Sequence, residues 1–362
     1  MKKKVLIVLG YKMYPDITGG MEVFNYRLIE ALQDRLDLSY TCGRDLGFEK
    51  ARYLPLRRVR PEKWLFPLQV FKHLLRHRDI RSVVFSYSEA SWVIWWIFTL
   101  MTRWLKLRST IVIHFGNPHT GSSRSVLSAF FHSAQTVIAV SKDIKRNYDA
   151  AFGLDCLVVP PAIPFRHSPK TKEQLRSEWG IPPDAFVISM VGSLKEMKNP
   201  DTALDCLSSF SQEEHAAVHP FLLYAGDGPM LPALQAMADS TGLSRQVSFL
   251  GRIPQDRVSE VMTCTDCFLI ASDFEGTSLS LMEAMSNGLP ILASDVPGLR
   301  DMITDGQNGL LFERRDAASL KQCILRFFKH PELRVTTGNN ALADFVRDYR
   351  FETVLNRYLE IL

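Results

Sequence analysis

The sequence predicts an α/β chain built as two doubly wound parallel-sheet domains, and three observations carry that expectation. Short apolar runs rich in Val, Ile and aromatic residues alternate with longer amphipathic stretches, the pattern of βαβ units and parallel sheets. The runs fall into two series separated by Pro160-Pro161-Ala162-Ile163-Pro164 and the polar stretch Arg166 to Lys172. Proline at that density fits neither sheet nor helix interior, so the domain boundary belongs there. The 362 residues are also the length of about two domains.

In chain order the first series of strands is expected at Val5–Leu9, Val83–Tyr87, Thr110–His114, Thr136–Val140 and Leu157–Val159. The second is expected at Phe186–Val191, Phe221–Ala225, Val247–Leu250, Cys267–Ala271, Ile291–Ala293 and Gly309–Phe312. Two such sheets on a short linker put a cleft at the carboxyl ends of their strands, where open α/β sheets bind ligands. The final stretch, Tyr349 to Leu362, sets Phe351, Leu355, Tyr358, Leu359 and Leu362 at helical spacing.

Composition narrows the function classes. Hydrophobic residues make up 46% and charged residues 23%, which suits a packed core and not a disordered chain. Six cysteines are too few for a disulfide framework, so a reducing compartment is expected. The start has only Val5 to Leu9 as an apolar run, too short for a secretory leader. The longest apolar run, Trp92 to Met101, falls well short of the ~20 residues of a membrane span. Residues 1–170 carry 26 Lys and Arg against 13 Asp and Glu, a net +13; residues 171–362 carry 17 against 26, a net −9. A basic half points to an anionic partner, or to two domains of opposite charge facing each other. Cys264-Thr265-Asp266-Cys267 has no second pair or nearby His and reads as core packing, not as a zinc or redox site. No G-x-G-x-x-G follows the first strand, so a nicotinamide cofactor is not expected.

The stretch most informative for chemistry runs from Ile270 to Met285. A strand ends near Ala271, a polar loop follows, and a helix begins at Thr277 to Leu279 and stops near Asn287-Gly288. The N–H groups and positive dipole end at Thr277, Ser278 and Leu279 form a phosphate site. Glu275 lies in the loop, and Glu283 lies close enough to that helix start to reach a ribose. By spacing alone, a plain βαβ unit with two surface glutamates fits equally well.

Glu275 and Glu283 enclose seven residues, and the continuation to Ser294 is similar to the E-x7-E signature of the family-four retaining glycosyltransferases. Other segments follow that family's order. They are Gly19-Gly20-Met21-Glu22 in the first loop, Ile113-His114-Phe115-Gly116, Val137 to Ser141, Val191-Gly192-Ser193-Leu194 to Lys198-Asn199, Ala225 to Pro229, and Phe249 to Arg252. The resemblance implies a GT-B fold, two Rossmann-like domains facing across a cleft. It places an acceptor-binding domain at 1–165, a nucleotide-sugar-binding domain at 166–346, and a helix at 347–362 crossing back to the first domain.

The resemblance also implies roles. Lys198 neutralises the donor diphosphate, Glu275 holds hydroxyls of the donor sugar, and His114 faces that sugar; these are the expected catalytic residues. Glu283 binds the ribose, Thr277, Ser278 and Leu279 the phosphates, Arg252 and Ile253 the base, and Gly192, Ser193 and Gly20 complete the donor site. Gly19 and Glu22 line the acceptor side. No metal or other cofactor is expected, since no D-x-D pair occurs and Lys198 supplies the charge. Ser193 stands where the family usually has Arg, which makes Lys195 the candidate replacement cation.

The expected activity is therefore retaining transfer of a hexose from a nucleoside-diphosphate sugar. A GT-B sugar-nucleotide epimerase, or a basic nucleic-acid- or membrane-binding protein without catalysis, are the alternatives. Nucleic acid is not expected as a partner, because no recognition helix or aromatic RNA motif is present. An anionic membrane surface is expected. Arg52 to Arg60 is basic with interleaved apolar residues, and from Phe66 to Arg78 the apolar positions 67, 68, 70, 71, 74 and 75 fit one helix face. Trp92 to Leu107 adds four tryptophans, and the competing reading is that both stretches are core helices. The membrane reading places the protein in the cytoplasm on the inner membrane face. Its acceptor is then a lipid-linked saccharide of surface polysaccharide or lipopolysaccharide assembly.

Overall fold

The structure, a computed structural model, describes residues 2–9, 20–42, 45–55, 62–87, 92–114, 118, 124–275 and 277–362. Gly19, Phe115, Gly116, Gly276, Arg57, Arg58 and Arg60 lie outside the described residues. The chain divides into two compact units: residues up to Ala162 with Glu352–Leu362, and Ile163–Phe351. The division falls at Ala162–Ile163 instead of 165–166, and the chain returns to the first unit at Glu352 instead of 347.

Among the described residues the first unit holds β1 (Lys4–Val8), β2 (Asp37–Cys42), β3 (Arg52–Pro55), β4 (Ser82–Tyr87), β5 (Arg108–Ile113), β6 (Thr136–Ala139) and β7 (Leu157–Val158). They form one parallel sheet in the order β3-β2-β1-β4-β5-β6-β7. The connecting helices are α1 (Gly20–Leu32), α2 (Glu62–Arg76), α3 (Trp92–Trp104), α4 (Arg124–Ser133) and α5 (Lys142–Phe152). Strands β2 and β3 were not expected from the sequence. DLSYTC carries polar residues that are nonetheless buried, and RYLP lies at the sheet edge, where Pro55 costs no ladder bond.

Arg52 to Pro55 of the basic stretch form that edge strand, and residues 56–60 lie outside the described residues. The single apolar face expected on α2 is divided. Phe66, Pro67, Val70 and Leu74 are buried, whereas Leu68 is 49% exposed. On α3, Trp95, Phe98 and Met101 are buried while Trp96, Leu100 and Trp104 point outward. Both helices therefore pack one face into the unit. No helix among the described residues is long and apolar enough to cross a membrane.

In the second unit α6 (Lys172–Glu178) precedes β8 (Phe186–Val191), followed by α7 (Asp201–Ser208), α8 (Gln212–Val218), β9 (Pro220–Ala225), α9 (Leu231–Ser240) and β10 (Val247–Phe249). Then come α10 (Val258–Cys264), β11 (Cys267–Ile270), α11 (Leu279–Ser286), β12 (Ile291–Ser294), α12 (Pro297–Arg300), β13 (Leu310–Phe312), α13 (Ala317–Lys329) and α14 (Pro331–Asp344). The strands form a parallel sheet ordered β10-β9-β8-β11-β12-β13. Residues alternate between its two faces, as strand periodicity requires. Ile188, Leu222, Leu269 and Leu292 pack with Leu204, Leu207, Leu320 and Phe327 on one face. Phe268, Ile270, Ile291 and Ala293 pack with Leu281, Met282, Met285 and Phe345 on the other. The strand order reverses between β8 and β11, so the carboxyl ends of these two strands mark the ligand-binding point of a doubly wound sheet.

The last helix, α15 (Phe351–Ile361), lies with the first unit, its Tyr358 ring 6.0 Å from that of Phe24.

Candidate donor site of the second unit

Two loops meet at the switch point. One leaves β8 through Gly192 and Ser193 and ends in a 3-10 turn, Glu196–Lys198. The other leaves β11 and carries Ser272, Asp273 and Glu275 into α11. Lys198 Nζ contacts Glu275 Oε1 in an ion pair, and Glu275, almost fully buried, also accepts from the Ser272 hydroxyl at 2.8 Å.

Asn199 ties the loops together. Its backbone is left-handed at φ 43, a conformation Asn tolerates better than most residues. Its side-chain amide donates to Ala271 O at 3.0 Å and to Asp273 Oδ1 at 2.7 Å. Asp273 N returns a bond to Met197 O at 2.9 Å. The Asp273 carboxyl is held below the usual carboxylate range by hydrogen bonds from Arg315 and Asn199, against a raising effect of burial. It stays anionic and keeps both partners in place.

Backbone packing fixes both loops from behind. A Cβ at Gly298, in α12, would land on the Glu275 carbonyl oxygen, and one at Gly226 would land on the Gly192 carbonyl oxygen. Glycine, which has no Cβ, allows these approaches. Ser294, fully buried, donates to Ser272 O at 2.6 Å and links the Glu275 loop to β12.

Ser278 caps α11, accepting from Leu281 N at 3.3 Å. Among the described residues no acceptor takes the N–H groups of Leu279 and Ser280, so the α11 start offers donors and a positive dipole end beside Lys198 and Glu275. Glu283, one turn into α11, accepts from the Gln255 amide of the segment after β10. In that segment Arg252 is exposed and Ile253 packs against the core.

The structure thus brings together Gly192, Ser193, Lys198, Glu275, Thr277, Ser278, Leu279 and Glu283 around two adjacent strand ends. Lys195 is exposed one turn before Lys198. Sequence reasoning missed Asn199, Ser272, Asp273, Gln255 and Gly298. For Asn199, Ser272 and Asp273 the available signal was position, polar residues next to Lys198 or just after β11; Gln255 and Gly298 carry no such signal.

The remaining expected residues lie in the first unit. Gly20 opens α1 and Glu22 sits in its first turn. His114 follows β5 at its carboxyl end, with its ring 5.7 Å from Phe24. Its Nε2 is buried without a partner among the described residues, and burial pushes the imidazole pKa down to about 3. It is therefore neutral at physiological pH. A neutral ring nitrogen of this kind can hydrogen-bond a hydroxyl but cannot serve as a cation.

Residues 171–344 match the profile of glycosyl transferases group 1, and residues 18–166 that of glycosyltransferase family 4. The N-acetyl-alpha-D-glucosaminyl L-malate synthase of Bacillus anthracis is 24% identical over 247 residues, 68% of this chain and 60% of that protein. The chain spans about half the length of the next curated relatives it matches, 47% and 48%. HepE of Anabaena, solved with UDP, superposes with a TM-score of 0.79 at 18% identity, covering 99% of this chain and 98% of that one. The lipopolysaccharide outer core galactosyltransferase WaaB superposes with a TM-score of 0.69 at 20% identity, covering 99% and 98%. At these identities the likeness is one of fold. With both halves matched and the E-x7-E glutamates on one loop and helix, the chain belongs to the family-four glycosyltransferases and has the two parallel-sheet domains of the GT-B fold.

Proposed function

We propose that this protein moves a hexose, with retention and without a metal, from a nucleoside-diphosphate sugar to a lipid-linked saccharide of surface polysaccharide or lipopolysaccharide assembly. The observation that carries the donor half is the meeting of Lys198, Glu275 and the α11 start at one strand edge. A diphosphate there meets the Lys198 ammonium and the N–H groups of Leu279 and Ser280, which stabilise the charge that grows as the sugar–phosphate bond breaks. Sharing Lys198 with the diphosphate frees Glu275 to accept from sugar hydroxyls. Glu283 beside Gln255 receives the ribose. His114, Gly20, Glu22 and Gly19 are proposed on the sugar and acceptor side, and Lys195 as the second diphosphate cation.

HepE, a neighbour in fold, is solved with UDP, and WaaB is a lipopolysaccharide galactosyltransferase. Both support this reading of donor and acceptor class. The malate synthase supports a second reading, a small soluble acceptor. The proposed location is the cytoplasmic membrane face.

The test pairs UDP-, GDP- and ADP-sugars with a polyprenyl-diphosphate saccharide or with L-malate, and determines the anomeric configuration of the product. Transfer to the lipid-linked acceptor with retention, undiminished by a chelator, is expected. An epimer formed from donor alone, an inverted product or loss in chelator overturns the corresponding part. Transfer to malate alone selects the second acceptor reading.

A further inference from the structure

A second concave site lies at the opposite edge of the first unit's sheet from His114. Between the carboxyl ends of α2 and α3 is a cavity of about 330 Å³, lined by Leu74, Arg78, Ile80, Arg81, Trp104 and Leu107, among others. These residues precede β4 and β5, so the cavity sits at the amino ends of the strands. His114 follows the other end of β5, roughly 20 Å away at strand rise.

Its chemistry is two-sided. Arg78, Arg81, Arg103 and Lys106 are exposed and enter no ion pair among the described residues. Asp79, between the two lining arginines, is engaged by Lys4. The rim is apolar and open. Trp104 is 66% exposed and touches Phe71 of α2 with ring centroids 5.7 Å apart. Trp96 and Leu100, 44% and 49% exposed, continue from Trp104 along one face of α3 at four-residue spacing. Guanidinium pairs suit a phosphate, and exposed tryptophans suit the interfacial layer of a bilayer. The volume is at the small end of the ~300–1,000 Å³ of ligand pockets. It admits a headgroup, while acyl chains must lie outside, along the apolar stripe.

We propose that this surface docks the protein on a bilayer: Arg78 and Arg81 take the phosphate of an anionic phospholipid headgroup in the cavity, and Trp96, Leu100 and Trp104 enter the interface. The assignment rests on the reading of the protein as a membrane-surface enzyme and names the face that makes the contact.

The full chain is sedimented with phosphatidylcholine vesicles with and without phosphatidylglycerol at low salt. Wild type is expected on the anionic vesicles only. The double variant R78Q/R81Q is expected to bind about 30-fold more weakly, from two basic residues lost near an anionic surface. Trp104→Ala is expected to weaken binding as well, and brominated lipid to quench less fluorescence in it than in wild type. All these side chains are exposed, so thermal midpoints and nucleotide binding should match wild type. Wild type bound but both variants unaffected overturns this surface and leaves the membrane reading standing. The same holds if binding is lost only on neutralising Arg57, Arg58 and Arg60. Wild type failing to bind anionic vesicles overturns both. Arg78 and Arg81 binding inorganic phosphate in solution, with vesicle binding unchanged in R78Q/R81Q, assigns a soluble anion site and also overturns the docking role.

Discussion

Lys198 and Glu275 stand 77 residues apart in sequence and meet at one strand edge. If Lys198 stabilises the departing diphosphate, Lys198→Ala should lower kcat by about 10²–10³, the cost of removing one preorganised charge donor. Its loss also leaves the nearly buried Glu275 carboxylate without its cation, so the melting temperature should fall as well, and turnover is compared on protein shown to be folded. Wild-type turnover by the folded variant would sink the role. Gly298→Ala tests the support from behind. The new methyl collides with the Glu275 carbonyl, so stability should drop by about 1–3 kcal/mol and activity should fall even with Lys198 intact. Urea unfolding and a donor-hydrolysis assay read the two effects separately. Two histidines set a pH dependence. Burial lowers the pKa of His114 from 6.5 to about 3 and of His73 from 6.5 to about 4. The unfolded chain binds those protons first, so stability is whole above pH 6.5 and falls as pH drops through the window below it. Melting curves from pH 7.5 to 4.5 should show a shallower decline in a His73→Gln, His114→Gln variant. Glu275 and Glu283 were legible in the sequence because their spacing is a motif, and Lys198 because its loop resembles the family's basic phosphate loop. Asn199, Ser272 and Gln255 were not, because each acts through a partner brought near only by the folded sheet.

At the scale of elements, strands announce themselves by apolar runs, and those of the second unit sit close to where their runs predict. β2 and β3 do not announce themselves: Ser39 and Thr41 of β2 are polar yet buried by the neighbouring strands, and β3 is a four-residue edge strand in which only Leu54 is buried. On α2 the sequence shows one apolar face, and on α3 it shows apolar residues nearly all round. Only packing decides that Val70, Leu74, Trp95 and Phe98 turn inward and Leu68, Trp96 and Trp104 outward. The last helix gives a two-part prediction. Tyr358 is fully buried against Phe24, and its hydroxyl has no hydrogen-bond partner among the described residues. Tyr358→Ala should cost about 3–5 kcal/mol, as for other large buried aromatics. Tyr358→Phe removes only a buried polar group without a partner and should leave stability unchanged or raise it by about 1 kcal/mol. Equal losses in both variants, measured by denaturant unfolding, would show that the hydroxyl is bonded in solution.

At the scale of the whole molecule, the two units divide the chain at Ala162 and again at Phe351. Deleting 352–362 removes Val354, Tyr358 and Leu362, all nearly inaccessible, from the first unit. Differential calorimetry should show the transition of the first unit lowered. Deleting 347–362 should lower both, because Tyr349 packs against the apolar face around Phe345 in the second unit. An unchanged profile in either deletion would contradict the division. The sequence by itself determined the α/β class, the proline break between two series of strands, the basic and acidic halves, and the seven-residue spacing of Glu275 and Glu283. These are local in the chain: periodicity, turn chemistry and motif spacing are written in neighbouring residues. Only the tertiary structure decided which strands adjoin, that the β8–β11 reversal brings Lys198 to Glu275, that Asn199 and Gly298 hold that meeting, and which tryptophans face outward. Those outcomes depend on contacts between segments tens of residues apart. Sheet order and close packing choose such contacts, and no local pattern encodes them.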